Sequence, residues 1–137
     1  MTKKMSLVVF SGTADRLQAA ATIAAGEAAM GVETHIFLTF WGLTALRTSE
    51  LGNPRPLPAE YGAQTEALRT LMQEKNVPPW HEVLRQASDI GDVHVHACAM
   101  TADLMGIGKE DLDPMVEDVI GVGRFIELAD DGQILFI

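Results

Sequence analysis

Five short apolar runs along the chain have the length and composition of β-strands. They cover residues 7–10, 34–40, 93–98, 118–122 and 134–137. Most of these runs are apolar throughout instead of alternating with polar residues, which is typical of strands covered on both faces. The pattern therefore predicts a mainly parallel sheet that is buried between helices.

Segments with helical spacing separate the predicted strands. The segment after the first strand has apolar residues at steps of three and four, namely Leu17, Ala20, Ala21, Ala24 and Ala28. Gly31 is placed to end this helix. A second apolar stripe precedes the third strand and consists of Trp80, Val83, Leu84 and Ala87. The three prolines within residues 52–58 indicate a surface loop between these regions.

The segment from residue 123 to residue 131 fits either a helix or the first arm of a hairpin. The spacing of Phe125, Leu128 and Ala129 favours the helix. A chain of 137 residues has room for one domain. The sequence thus predicts a single α/β domain over residues 1–137, with a three-layer, flavodoxin-like or Rossmann-like fold. Its five-stranded sheet carries helices on both faces, and the strand order stays open.

Charge and cysteine content narrow the possible functions. The chain has 10 lysines and arginines against 19 acidic residues, and its formal net charge is −9. Nucleic acids and anionic membrane surfaces are bound through basic residues, so we expect neither as a partner. The longest nearly uncharged apolar run, residues 36–46, is about half the length of a membrane span. With a single cysteine and no secretory signal pattern at residues 1–5, we expect a cytoplasmic protein.

Three segments follow predicted strands at the edge where parallel sheets bind ligands. They supply the candidate site residues Ser11, Thr13 and Asp15, then Phe40, Trp41 and Gly42, and finally Cys98, Met100, Thr101 and Asp103. Polar, aromatic and sulfur-containing side chains are therefore predicted to meet at one edge of the sheet.

Cys98 lies at a predicted turn from strand to helix. A thiol at a helix N-terminus feels the positive end of the helix dipole, which favours the nucleophilic thiolate. Asp103 lies near the same helix start and opposes this effect, and no lysine or arginine follows Cys98 until Lys109. The alternative is that Cys98 is a small core residue, as many lone cysteines are.

A metal site is a weaker alternative for the same strand. His94, His96 and Cys98 alternate, so they share one face of a regular strand, with successive side chains roughly 7 Å apart. Such residues can bind zinc, with His35 as the fourth ligand. No CxxC or HExxH motif completes the set, which favours structural histidines, and we expect neither a metal nor an organic cofactor.

Two further alternatives assign no chemistry to Cys98. A nucleotide or flavin could bind at the turns around Ser11 and Trp41, but the first turn has one glycine and no lysine, so it is neither a Walker loop nor a GxGxxG motif. The other alternative is that the chain is a non-catalytic subunit of a larger oligomer, in which the thiol of Cys98 is inert.

Two segments of the chain resemble the DsrE/DsrF-like family. Residues 37–43 read Phe-Leu-Thr-Phe-Trp-Gly-Leu, and residues 97–106 read Ala-Cys-Ala-Met-Thr-Ala-Asp-Leu-Met-Gly. They are similar to the branch with an aromatic-Thr-Phe-Trp-Gly-Leu segment and an Ala-Cys-x-Met-Ser-x-Asp-x-Met-Gly segment. The turn at residues 11–15 and the closing segments 125–127 and 134–137 also fit, so the resemblance spans essentially the whole chain. Thr101 replaces the serine of that pattern and keeps its hydroxyl.

The resemblance implies a five-stranded parallel α/β sheet in homo-oligomers such as trimers, tetramers or hexamers. It also implies a cytoplasmic sulfur relay, in which Cys98 accepts sulfane sulfur as a persulfide and passes it to a partner thiol. Phe40, Trp41, Met100 and Asp103 would line its surroundings. Sulfur-carrier proteins of the TusA type and rhodaneses are the implied partners. Because there is no second cysteine, release requires an external thiol, and we expect a sulfur carrier or sulfurtransferase-like protein.

Overall fold

A five-stranded sheet forms the centre of the fold in the computed structural model, which describes residues 3–137. The strands are β1 (Lys4–Val9), β2 (Glu33–Leu38), β3 (Val93–Cys98), β4 (Val116–Ile120) and β5 (Gln133–Phe136). Their order across the sheet is β4-β3-β2-β1-β5, and every neighbouring pair is parallel. The predicted five-stranded parallel sheet is confirmed, and the structure supplies the strand order that the apolar pattern left open.

Helices connect the strands and cover both faces of the sheet. They are α1 (Ala14–Ala29), α2 (Phe40–Thr44), α3 (Thr65–Glu74), α4 (Trp80–Ile90), α5 (Ala99–Met105) and α6 (Val122–Ala129). Two 3-10 helices, Ala59–Gln64 and Lys109–Asp111, lie in the longer connections. The α1 helix ends before Gly31, as predicted. Gly31 has a φ of 70°, the left-handed backbone conformation that commonly follows the end of a helix.

The larger core lies between one face of the sheet and the helices α1 and α4. Leu7, Ile36 and Val95 are completely or almost completely buried there, together with Ala24 and Leu84 from the two helices. The alanine stripe of α1 allows this helix to lie close to α4. Each large aliphatic side chain buried in this way contributes about 1.5–3 kcal/mol relative to exposure.

The opposite face of the sheet carries a smaller core under α6. Phe125 stacks on Phe37 with ring centroids 4.6 Å apart, and Cys98 and Ala129 complete the buried cluster. The helix predicted near residues 123–131 is therefore confirmed. The strand predicted at 118–122 begins earlier and ends at Ile120, because the next residue already forms the N-cap of α6.

The chain turns sharply after β2. The apolar pattern predicts a strand as far as Phe40, but β2 ends at Leu38 and Phe40 opens α2 with a φ of 45°. This left-handed conformation is uncommon for a non-glycine residue. Two residues later, Gly42 packs directly against the carbonyl oxygen of Val9, and its own N–H donates to the carbonyl of Phe10 at 3.0 Å. The turn after β2 thus lies against the end of β1.

Substituting Gly42 with alanine is expected to destabilise the fold. The added Cβ would collide with the Val9 carbonyl, and overpacking of this kind costs about 1–3 kcal/mol of unfolding free energy. Urea denaturation followed by circular dichroism measures the change. Gly26→Ala within α1 is the matched control, because its added methyl group would meet no other part of residues 3–137 within 4 Å and alanine favours helices. Equal stability of the two variants would contradict this packing.

Candidate functional site

Cys98 is both the last residue of β3 and the N-cap of α5. Only 5% of the residue is exposed, and its cluster on the α6 face includes Phe37, Phe125 and the partly buried Ile120. Within the described part of the chain, its side chain makes no capping hydrogen bond. The first backbone N–H groups of a helix have no partner within that helix, so they remain able to donate to the sulfur when it is ionised.

Two threonines bring the turns after β2 and β3 together beside this thiol. The hydroxyls of Thr39 and Thr101 are hydrogen-bonded at 3.1 Å, and the Phe40 N–H donates to the Thr101 hydroxyl oxygen, also at 3.1 Å. Thr101 is completely buried. The Thr101 oxygen can accept from both the Phe40 N–H and the Thr39 hydroxyl, and this arrangement leaves the Thr101 proton for donation to the sulfur.

These donors change the acidity of Cys98. Burial by itself raises the pKa of the thiol, but the N–H groups of Thr101 and Met100 and the hydrogen-bonded hydroxyl pair of Thr101 and Thr39 stabilise the thiolate. The donors outweigh burial, and the pKa of Cys98 lies below its ordinary value. The anion is therefore stabilised by neutral dipoles.

An aromatic row follows the same edge of the sheet. Phe10 lies between Phe136 and Phe40, with ring centroids 5.7 and 5.5 Å away, and the ring of Trp41 follows 6.4 Å from that of Phe40. Trp41 is 52% exposed and Met100 is 55% exposed. The thiol thus lies under the surface beside exposed apolar side chains. Phe10, Phe136 and Thr39 are missing from the sequence-based candidates, although Thr39 directly precedes the aromatic pair in the family-like segment.

The first candidate segment forms a separate polar turn. The Thr13 hydroxyl donates to the Asp15 carboxylate at 2.8 Å and is hydrogen-bonded to the Ser11 hydroxyl at 2.9 Å. Arg55, which no sequence motif indicated, donates from Nε to the Gly12 carbonyl at 2.9 Å. These side chains bond to one another instead of to the Cys98 segment. Asp103 is exposed on α5.

Two cavities lie on the other side of the sheet, among α1, α3 and α4. Their volumes are about 380 and 560 Å³, and both are lined by Leu68, Met72 and Trp80. Cys98 lines neither of them. The candidate thiol is therefore separate from both cavities.

The three central histidines lie on the Cys98 face of the sheet. Burial lowers the pKa of His35 despite its hydrogen bond to Glu33. Burial also acts to lower the pKa of His94, but hydrogen bonds to Asp92 and Glu117 raise it above its ordinary value. Within residues 3–137, the side chains close enough together to share a metal ion are His96 and two acidic residues of β4. This group differs from the one considered in the sequence, because it does not include Cys98.

The DsrE/DsrF/DrsH-like family model matches the chain in two overlapping segments, residues 1–61 and 56–137. The chain belongs to the DsrE/DsrF/DrsH-like family. It is 33% identical to the uncharacterized protein YrkE of Bacillus subtilis (strain 168) over 158 aligned positions, covering 99% of this chain and 98% of that protein. It is also 29% identical to the sulfur carrier protein DsrE2 of Allochromatium vinosum, covering 96% of both chains. The predicted family resemblance is confirmed.

Solved structures share the family fold. MTH1491, a protein of unknown function from Methanobacterium thermoautotrophicum, superposes with a TM-score of 0.62 at 16% identity, over 98% of this chain and 99% of its own. The YchN protein of E. coli superposes with a TM-score of 0.59 at 17% identity over the full length of both chains. At these identities the likeness shows the fold alone. Across residues 3–137, none of the helices is long and apolar enough to span a membrane.

Removing the Thr101 hydroxyl is expected to make Cys98 less reactive. In Thr101→Val the thiolate loses a donor, so the pKa of Cys98 rises and alkylation by iodoacetamide at neutral pH slows. Alkylation rates measured across pH by intact mass spectrometry give the shift. Thr101→Ser keeps the hydroxyl and should keep the rate profile, and Thr22→Val on the exposed side of α1 is a surface control. An unchanged profile in Thr101→Val would exclude the hydroxyl as a thiolate donor.

Proposed function

We propose that the protein is a sulfur carrier or sulfurtransferase-like protein that accepts sulfane sulfur on Cys98 as a persulfide and passes it to a partner thiol. The observation that carries this proposal is the place of a nearly buried thiol where β3 meets α5, beside the hydrogen-bonded hydroxyls of Thr39 and Thr101. These hydroxyl and N–H donors hold the pKa of Cys98 below its ordinary value. Membership of the DsrE/DsrF/DrsH-like family, which is associated with sulfur relay, supports the same chemistry. The related protein DsrE2 is itself named a sulfur carrier protein.

The transfer needs only the Cys98 thiolate and two exchange steps. The thiolate attacks the terminal sulfur of a donor persulfide, R–S–SH, so a new S–S bond forms as the donor S–S bond breaks. The products are Cys98–S–SH and the donor thiolate, R–S⁻, with no net change in oxidation. An acceptor thiolate then attacks the outer sulfur and releases the Cys98 thiolate. Both steps follow ordinary thiol–disulfide exchange chemistry.

The donors around Cys98 suit both steps. Hydrogen bonds from Thr39, Thr101 and Met100 stabilise the thiolate as attacking group and as leaving group, because a lower pKa makes a thiolate leave more readily. The same N–H and hydroxyl groups can bind the negative charge of a bound persulfide. Burial of the thiol under apolar neighbours keeps water and oxidants away from the outer sulfur.

The surface around the thiol suits a protein partner. Trp41, Met100 and Leu104 are more than half exposed, and Phe10, whose ring lies against that of Phe40, is 37% exposed. Apolar surface of this kind is typical of protein contacts. We therefore assign this surface to a partner that presents its own thiol, such as a carrier of the TusA type or a rhodanese, in the reducing cytoplasm. The thiol of that partner supplies the second cysteine that this chain lacks.

Self-association is assigned to the neighbouring face of α6 and β5. Val122 and Ile126 of α6 and Ile134 and Phe136 of β5 are all more than half exposed on this side. β5 is also an edge strand, whose unpaired backbone is open to pairing. A second copy of the chain would cover this surface in a trimer, tetramer or hexamer.

Sulfur loading of Cys98 is measured by intact mass spectrometry. Reduced protein is mixed with polysulfide or thiosulfate, with Cys98→Ser as the matched variant. We expect a gain of the mass of one sulfur atom with polysulfide, its removal by dithiothreitol, and no gain in Cys98→Ser. Thr101→Val should load more slowly than Thr101→Ser, because only the latter keeps the donor to the thiolate. If neither sulfur source adds mass while iodoacetamide still alkylates the native thiol, sulfur acceptance is excluded.

Charge on the exposed face of α6 is expected to weaken self-association. Ile126→Glu places a carboxylate in the proposed contact, so the oligomer should dissociate toward monomer in sedimentation velocity runs. Ile90→Glu is the matched control, because Ile90 is 80% exposed at the end of α4. A monomeric wild-type protein, or an oligomer that Ile126→Glu leaves intact, would contradict this interface.

A further inference from the structure

A cleft between α3 and the helices α1 and α4 has no part in the proposed sulfur transfer. It consists of the two cavities of about 380 and 560 Å³, which adjoin because they share Leu68, Met72 and Trp80. We propose that this cleft binds a small amphipathic organic acid, with its carboxylate in the smaller cavity and its apolar body in the larger one. Three features support this site: the loose packing of α3, the positive lining of the smaller cavity, and the apolar lining of the larger cavity.

The α3 helix borders the cleft without filling it. None of the residues of α3 is buried, and the helix packs mainly on the preceding 3-10 helix, Ala59–Gln64. Its side chains Leu68 and Met72 line both cavities and stay partly exposed. Volumes of this size lie within the range of about 300–1,000 Å³ that is typical of sites for small molecules. Because both cavities lie between elements of this chain, we assign them to a small molecule and not to the surface of a protein.

The smaller cavity has a positive lining in an acidic protein. Arg55, Arg69 and His81 line it, and no aspartate or glutamate of the described chain does so. The chain as a whole has 19 acidic residues against 10 lysines and arginines. Two helices also begin at this cavity, α1 at Ala14 and α4 at Trp80, and a helix N-terminus carries a partial positive charge. This lining favours an anionic group over a neutral or cationic one.

Arg55 is the residue best placed to bind that anion. Its Nε donates to the Gly12 carbonyl at 2.9 Å and its side chain is only 17% exposed, so the guanidinium is held in place at the cavity. Its Nη1 lies 3.6 Å from the Glu50 carboxylate, which is too far for a hydrogen bond. The two terminal nitrogens therefore keep donors for a carboxylate, which arginine binds through two parallel N–H groups. Arg69 is less available, because its Nη1 donates to Glu66 at 2.7 Å.

The larger cavity is lined mostly by apolar side chains. They come from α1, α3 and α4 and include Ala19, Ile23, Leu68, Met72 and Trp80. Asp15 also lines this cavity, but its carboxylate already accepts from the Thr13 hydroxyl at 2.8 Å and from the Arg16 N–H at 2.9 Å. An aliphatic or aromatic group placed here would cover partly exposed apolar side chains, and removing apolar surface from water is favourable. The two cavities together thus suit a molecule with one acidic end and one apolar end.

Binding is measured by isothermal titration calorimetry on the full-length protein, with octanoate, octan-1-ol and acetate as probes. Octanoate carries both a carboxylate and an apolar body, whereas octan-1-ol lacks the charge and acetate lacks the body. We expect one octanoate per chain, bound about tenfold more tightly than octan-1-ol, because hydrogen bonds to a charged group are the stronger ones. Acetate should show no saturable binding.

Substitutions in each cavity separate the two contributions. Arg55→Met keeps a long side chain without its charge, so octanoate should bind about tenfold more weakly while octan-1-ol binds as before. Arg124→Met on α6 is the matched control, because Arg124 lines neither cavity. Met72→Gln makes the apolar lining polar and should weaken the binding of both octanoate and octan-1-ol. Met30→Gln is its control, because Met30 is 81% exposed. Circular dichroism checks that the variants fold.

Three results would each overturn the proposal: no saturable binding of octanoate, equal affinity for octanoate and octan-1-ol, or unchanged octanoate affinity in both Arg55→Met and Met72→Gln. The second result would identify a cleft that binds apolar molecules without regard to charge. If Arg55→Met does not fold, the comparison of the probes and the Met72→Gln variant still decide. Cys98→Ser should bind octanoate like the wild type, since Cys98 lines neither cavity. This proposal and the proposed sulfur transfer therefore fail separately.

Discussion

The hydrogen-bonded contact between Thr39, Phe40 and Thr101 is the interaction on which the candidate site depends. It joins the turn after β2 to the turn after β3 through the Thr101 hydroxyl, which accepts the Phe40 N–H at 3.1 Å. A buried N–H that loses its acceptor costs about 1–3 kcal/mol, so this contact also stabilises the left-handed backbone of Phe40. The same two hydroxyls, together with the N–H groups of Thr101 and Met100, face Cys98. The Thr39 and Thr101 hydroxyls therefore both hold the two turns together and stabilise the thiolate.

Strand alternation places two kinds of chemistry on one face of the sheet. His96 and Cys98 are two residues apart in β3 and point to the same side. The thiol is surrounded by apolar side chains and neutral donors, which stabilise an anion. The histidine is hydrogen-bonded to the Asp118 carboxylate and to His35. These two positions of one strand thus have different surroundings, with aromatic residues around Cys98 and a carboxylate beside His96.

Much of the fold could be predicted because strands buried on both faces leave a clear apolar pattern. The bounds of β3 were predicted correctly at residues 93–98, and the helical spacing of Phe125 and Ala129 identified α6. The strand order could not be predicted, since every apolar run is compatible with several neighbours. The turn at Phe40 was missed because an aromatic residue with a positive φ leaves no glycine or asparagine signal. The carboxylates of β4 were missed for a related reason, because an extra residue in a strand cannot be recognised before its pairing partner is known.

Direct titration of the Cys98 thiolate tests the central claim, that neutral donors make this buried thiol acidic. The absorbance of the thiolate in the far ultraviolet is followed against pH in the folded wild-type protein, with Cys98→Ser subtracted as the blank. We predict a midpoint below that of the same thiol in the protein unfolded in urea. A midpoint at or above that value would show that burial outweighs the hydrogen bonds from Thr39, Thr101 and Met100, and would contradict the claim.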